Sequence, residues 1–256
     1  MQQQQQKSAA PPGNKAAEQK IIDDLLGNMP SNDEIPLELP SHNKFYSLQD
    51  PSKPITLRPM TFDDERAMMS NKNINVDVLN ILLGRCISNI DVSQLLQMDK
   101  LFIIMKLREI SYGDDYSAQI SCASCRRDNM VKFKLSSLPV RPIEEEMENP
   151  RTVHLPVLDK QLKVRLPRIS DEQYFSNTER ALGNLWRFVE EIEGHSQKSV
   201  ISKVIPKLPL KDAHVLLEAM SANEYGLDTK VRFLCSYCSH NEIMELPITS
   251  DFFTGK

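Results

Sequence analysis

Glycine is scarce in this sequence, at 8 of 256 residues, and no Walker A, Rossmann GxGxxG, GxSxG or HExxH pattern occurs. Loops that cradle phosphate need backbone able to approach a ligand closely, which glycine permits; little material for them is present. Long apolar runs are missing too. The longest uninterrupted one, Leu101 to Met105, falls far short of the ~20 residues that span a bilayer, so no transmembrane helix is expected. Positive charge is not in excess. The 31 Lys and Arg stand against 35 Asp and Glu for a formal net charge of −4, with a sequence pI near 5.8. Nucleic-acid binders usually carry a strongly basic domain or stripe, so no such partner is expected. His154, His195, His214 and His240 are scattered, and the carboxylates sit at helix starts and on charged faces, where no glycosidase-like pair can be read. The chain is not expected to be an enzyme.

Two short stretches look alike: Cys122-Ala123-Ser124-Cys125 and Cys235-Ser236-Tyr237-Cys238. Strand-like residues flank each, Tyr116 to Ser121 and Met130 to Leu135 around the first, Val231 to Leu234 and Ile243 to Leu246 around the second. Two thiolates separated by two residues on a tight turn can point at one metal ion. Two such pairs complete a closed tetrahedral four-cysteine site, the structural kind of zinc centre. His240 could substitute as a ligand, but four thiolates already fill the shell. A redox CxxC would open a helix in a βαβ setting, and neither pair does. Disulfides within each pair would be strained and would need an oxidising compartment; a sequence without a secretory signal is expected to keep its thiols reduced. One structural Zn²⁺ on Cys122, Cys125, Cys235 and Cys238 is therefore expected. Cys86 has no base near it and reads as a small buried hydrophobe.

The pairs also end an internal repeat. Tyr112-Gly113 stands before Cys122 at the same distance as Tyr225-Gly226 before Cys235, with Asp115 and Asp228 equally placed after the tyrosines. Asp99 and Asp212 precede their tyrosines by equal intervals, each opening an apolar helical pattern. Further upstream, Leu57-Arg58-Pro59-Met60-Thr61 resembles Leu166-Pro167-Arg168-Ile169-Ser170. The expected fold is α+β: two related halves, each strand–helix–helix–zinc-knuckle hairpin, sharing one four-cysteine zinc site. A stacked solenoid would need three or more copies.

Residues 1–38 are expected to form a disordered tail, because Gln2 to Gln6 and the Ala, Pro, Gly and Lys that follow cannot bury enough surface to offset ordering entropy. Inside it, Ile21, Ile22, Leu25 and Leu26 make a short amphipathic helix ending at Gly27, tethered by a linker with Pro30, Pro36 and Pro40. It reads either as a docking segment or as a small lid. The first half, 39–140, has extended Phe45-Tyr46 and Ile55 to Leu57. Thr61 caps a helix with Asp63, Asp64 and Glu65 in its first turn, and further helices run over Asp77 to Cys86 and Met98 to Ile110. The acidic run Glu144 to Glu148 reads as a solvated joint. In the second half, 141–256, Thr152 to Leu158 and Gln161 to Leu166 form a hairpin about Asp159-Lys160. Ser170 with Gln173 signals a helix reaching towards Glu193, and shorter helices cover Ser199 to Ile205 and Lys211 to Ala222.

Thr56-Leu57-Arg58-Pro59-Met60-Thr61 with Asp63-Asp64-Glu65, then Leu107-Arg108-Glu109-Ile110-Ser111-Tyr112-Gly113, the two CxxC pairs, and closing Leu246-Pro247-Ile248 with Phe252-Phe253 occur in that order. This order over about residues 39–254 resembles the baseplate protein family of T-even-type contractile-tailed bacteriophages, the baseplate hub and assembly proteins. The resemblance implies a structural or assembly component of the central tail baseplate, located in the virion baseplate or in the host cytoplasm during assembly. Its partners would be other baseplate or tail proteins. By their own apolar character Ile21, Ile22, Leu25 and Leu26, and Phe252 and Phe253 at the far end, read either as docking anchors for such partners or as residues packed back on the body. The competing class is a zinc-ribbon-like nucleic-acid or transcription-associated factor, for which Arg126-Arg127 beside the first knuckle is the one hint.

Overall fold

The computed structural model describes residues 15–27, 34–69, 76–174, 182–221, 224–246 and 250–253. The glutamine run, Pro30 of the linker and Pro247-Ile248 lie outside the described residues. The chain divides into two units, Met1–Asp33 and Glu34–Lys256.

In the first unit, α1 (Lys15–Leu26) buries none of its residues, and Ile21, Ile22, Leu25 and Leu26 are all exposed. It extends ahead of the apolar pattern because Ala16, Ala17, Glu18, Gln19 and Lys20 are strong helix formers. Gly27 ends it, donating its N–H to the Asp23 carbonyl at 2.7 Å.

The second unit is α+β. Strands β1 (Ile35–Pro36), β2 (Thr56–Leu57) and β3 (Ile87–Ser88) form an antiparallel sheet in that order. Helices α2 (Phe62–Met69) and α3 (Val76–Cys86) fall between β2 and β3 in the chain. Reciprocal capping starts α2: Thr61 N–H donates to Asp64 Oδ2 at 2.9 Å, and Asp64 N–H to Thr61 Oγ1 at 3.4 Å. The long helix α4 (Gln97–Tyr112) buries Phe102, Ile103, Ile104, Met105 and Leu107, which places it in the core rather than on a surface. It leads into the hairpin β4 (Asp115–Ser121) and β5 (Asp128–Lys134). In β4 the buried Tyr116, Ala118 and Ile120 alternate with exposed residues, the period-two pattern of a strand covered on one face.

After β6 (Val140–Arg141), strands β7 (Arg151–Leu155), β8 (Lys160–Val164) and β9 (Val189–Ile192) make a second antiparallel three-stranded sheet in that order. Helices α5 (Lys198–Val204) and α6 (Leu210–Ser221) follow. Then come β10 (Gly226–Leu227), paired with β6, and the hairpin β11 (Lys230–Leu234) and β12 (Asn241–Glu245).

The same polar devices occur at matching places around the two sheets. Beside the first, Arg58 donates to both oxygens of buried Asp64 at 2.8 and 3.3 Å. Beside the second, Arg165 holds buried Asp171 at 2.7 and 2.9 Å, with the same six-residue separation. Thr61 and Arg168 each donate a backbone N–H to the aspartate three positions on. Leu39-Pro40-Ser41 and Leu155-Pro156-Val157 make similar contacts: Ser41 N–H donates to Asp99 at the start of α4, and Val157 N–H to Asp212 at the start of α6. Both aspartates are fully buried.

One apolar cluster gathers the first sheet, α3, α4 and both cysteine hairpins, including Phe233, Cys122 and Cys235. A second gathers the other sheet with α5 and α6. Lys100 and Glu172 form a buried ion pair at 2.5 Å that ties α4 to the segment after β8, and Ile169 N–H donates to the Leu95 carbonyl at 2.9 Å.

Three expectations are corrected. Phe252 and Phe253 are not exposed docking residues. They are 0% and 1% accessible, and Phe252 packs edge-on against Tyr116 of β4 with ring centroids 5.0 Å apart. Burying two phenylalanines on an existing apolar surface is far more favourable than leaving them in water. Phe45-Tyr46 follow tight turns through His42 and Asn43, at φ 50 and 60, rather than a strand. The signal at Ser170 starts a 3-10 turn, Ile169–Tyr174, and by Val189 the chain is in β9. Residues 175–181 of that stretch lie outside the described residues.

Candidate metal centre

Each CxxC is the tip of a hairpin, and the two tips share one backbone geometry. Cys122 N–H donates to the Arg127 carbonyl at 3.0 Å and Cys235 N–H to the His240 carbonyl at 2.9 Å. Arg126 N–H returns to the Cys122 carbonyl and Ser239 N–H to the Cys235 carbonyl, at 2.9 and 3.0 Å. Both Arg126 and Ser239 take the left-handed conformation, φ 58 and 59. This turn aims both sulfurs of a pair to one side.

The tips meet. Cys122 Sγ lies 3.7 Å from Cys238 Sγ, and Cys125 Sγ lies 3.7 Å from Cys235 Sγ, so each short contact crosses between hairpins. All four sulfurs fall within 4.8 Å of one another. A tetrahedron with metal–sulfur bonds of about 2.3 Å has edges of about 3.8 Å, so this donor set fits a zinc-sized thiophilic ion. Cys125 and Cys235 are 110 positions apart in the chain. Cys122 and Cys235 are buried and Cys238 is exposed.

The thiols share the site unevenly. Burial opposes a thiolate at Cys235, but the N–H groups of Tyr237 and Cys238 and the neighbouring thiols outweigh it and bring its pKa down to about 6. At Cys125 the Arg127 N–H favours the thiolate, yet desolvation and the three facing thiols push the pKa up to about 11. Cys86, remote from this group, is 2% accessible, and burial raises its thiol to about 11. That is the inert hydrophobe expected of it.

One contributor was not singled out from the sequence. Asn129, buried in β5, donates Nδ2 to Cys235 Sγ at 3.6 Å and to the Arg127 carbonyl at 3.0 Å. Its Oδ1 accepts from Ser236 N–H at 2.9 Å and Ser236 Oγ at 2.8 Å. One amide thus orients a sulfur of the opposite hairpin and satisfies the turn that carries it. An asparagine within a strand, a place it generally avoids, was the available signal. His240 stays outside the sulfur cluster, with Nε2 3.7 Å from Glu242. On the outer surface, Arg127 stacks over Tyr237 at 5.2 Å.

Residues 32–254 match the family model described as T4 bacteriophage base plate protein. The chain belongs to that family. No curated protein and no solved structure matches it. As a T4-type base plate protein it has a structural role in the phage tail, in contact with other baseplate or tail proteins. The matched span includes both cysteine hairpins and leaves α1 outside. No helix among the described residues is long and apolar enough to cross a membrane.

Proposed function

We propose that this base plate protein is a rigid building block or assembly factor of the central baseplate, working by protein–protein contact and not by catalysis. Cys122, Cys125, Cys235 and Cys238 hold one structural Zn²⁺. The observation that carries this reading is the convergence of four sulfurs from two remote hairpins within 4.8 Å. When bound, such an ion supplies folding free energy, about 10–16 kcal/mol in small zinc modules. The hairpins supply the preformed turns, and Asn129 fixes one of the sulfurs.

The unit from Glu34 onward is further read as two related halves, 39–140 and 141–256, joined at the metal. The paired Arg–Asp clamps, the two buried aspartates at helix starts and the two identical cysteine turns support this duplication. Matching the clamps aligns Arg58 with Arg165, whereas matching Leu57-Arg58-Pro59-Met60-Thr61 letter by letter to Leu166-Pro167-Arg168-Ile169-Ser170 aligns it with Pro167. A building block benefits from such cross-linking, because a subunit transmitting force between neighbours must not deform. The site of action is the virion baseplate, or the host cytoplasm while tails assemble.

Elemental analysis of protein purified without chelators tests the metal, with about one zinc per chain expected. Cys122→Ser or Cys238→Ser should lower both zinc content and folded yield. Protein without metal, or with two ions per chain, would reject the shared site. Co-purification with tail particles tests the assembly role.

A further inference from the structure

An apolar groove of about 300 Å³ opens on the second sheet, lined by Leu155, Leu158, Ile192, Val200, Val204 and Leu208, with Lys160, Glu193 and His195 at its polar edge. Leu158 and Val200 are 43% and 46% accessible. Large apolar side chains left open together in a groove mark a contact surface.

The first sheet says what belongs there. Leu39-Pro40-Ser41 occupies the place that Leu155-Pro156-Val157 occupies in the second. From there to β2 the first half spends a long loop, while the second turns directly through Asp159 into β8. That long loop runs beside the residue after β3: Gln49 N–H donates to the Asn89 carbonyl at 3.2 Å, and Asp50 N–H to Asn89 Oδ1 at 2.7 Å. On the way it lays Tyr46 and Leu48, two positions apart, against the core. The residues after β9, Glu193 and His195, line the groove instead. Among the described residues, the second half therefore lacks the cover that the first provides for itself. Charge narrows the occupant further. The stretch 198–211 carries Lys198, Lys203, Lys207 and Lys211 and no acidic residue. Lys198 is tied to Glu190, while Lys203 and Lys207, next in the chain to the lining residues Val204 and Leu208, are exposed and form no ion pair among the described residues.

Resting on the duplication and assembly reading above, we infer that this groove docks an extended, acidic segment of another tail protein. Two bulky apolar anchors two positions apart, on the same side of an extended chain, fill the space that Tyr46 and Leu48 fill in the first half. Aspartates or glutamates flanking them meet the lysines.

The test uses the full zinc-loaded chain and a fluorescein-labelled peptide, Asp-Asp-Phe-Tyr-Ser-Leu-Gln-Asp-Asp, whose centre copies residues 45–50. Fluorescence anisotropy should give saturable binding. Val200→Asp should weaken it at least tenfold, Lys203→Glu with Lys207→Glu several-fold, and Ile81→Asp on α3 not at all. Val200→Ser serves as a gentler second variant should the aspartate unsettle the fold, and melting temperatures identify that case. Absence of binding, or equal loss from Ile81→Asp, overturns the proposal. So does a tenfold tighter complex after deletion of residues 1–29, which would make the chain's own α1 the occupant. A dimer that Val200→Asp converts to monomers would assign the groove to a second copy and also overturn it. Wild-type protein that enters tail particles while the peptide fails to bind would refute the groove alone. Binding without tail association would refute the assembly reading alone.

Discussion

Removing the Asp64 carboxylate should destabilise this protein more than any other single polar substitution near the first sheet. The side chain is fully buried. It accepts from Arg58 at 2.8 and 3.3 Å, from Arg85 Nε at 2.6 Å, and from Thr61 N–H and Oγ1 at 2.9 and 2.8 Å. Asp64→Ala leaves the Arg58 guanidinium, only a quarter exposed, without its main counter-charge. Breaking a buried ion pair from one side costs about 3–5 kcal/mol. Arg85 is 40% exposed and keeps Asp63 at 2.7 Å, so it recovers part of its loss, and the expected cost is near the lower end, about 3 kcal/mol. For a chain of this size each kcal/mol moves the melting temperature by about 2–4 °C, giving a drop of about 6–12 °C. Arg85→Ala should cost clearly less than Asp64→Ala, as an exposed partner does. Acid adds a second reading. Burial alone would raise the Asp64 pKa, but the bonds from Arg58, Thr61 and Arg85 outweigh it and hold the carboxyl well below the usual range. A group depressed in the folded state contributes its full stability above its unfolded pKa and loses it as pH falls towards the folded value. The gap between wild type and Asp64→Ala should thus be constant from pH 7 down to about 4 and shrink below it. Thermal unfolding followed by circular dichroism measures both. A variant melting within about 2 °C of wild type at pH 7 would refute the reasoning, as would a gap that closes between pH 7 and 5.

Phe252→Ala should behave as a core truncation, costing about 3–5 kcal/mol in chemical denaturation; an unchanged midpoint would contradict its packing on Tyr116. Deleting residues 1–29 removes a helix with no buried residue, so zinc content and melting temperature should hold while incorporation into baseplates is lost. If melting falls and assembly survives, α1 is part of the folded body and not a docking element.

Local signals carried much of this protein's description before any fold was known. The cysteine turns were legible because a CxxC knuckle is closed by hydrogen bonds within six residues, and the same spacings recur in both hairpins. Thr61 with Asp64 announced α2 for the same reason: a capping box is complete within one turn. The strand-like run Tyr116 to Ser121 and the apolar stretch Met98 to Ile110 located β4 and α4. What the sequence could not decide were features whose partner lies far along the chain. Val189 to Ile192 reads as the end of a helix until β8 offers its edge, and Phe252-Phe253 reads as a loose end until Tyr116 offers a surface. The convergence of Cys122 with Cys238 and of Cys125 with Cys235 likewise depends on hairpin packing and on Asn129, not on either motif alone. The letter match of Leu57 to Thr61 with Leu166 to Ser170 pairs Arg58 with Pro167, whereas the two clamps pair it with Arg165. Each of those clamps, Arg58 to Asp64 and Arg165 to Asp171, exists only once its chain segment has folded back over its own helix start or 3-10 turn. Short-range hydrogen bonding is written into neighbouring residues, whereas burial and long-range pairing are properties of surfaces that form only when the whole chain has closed on itself.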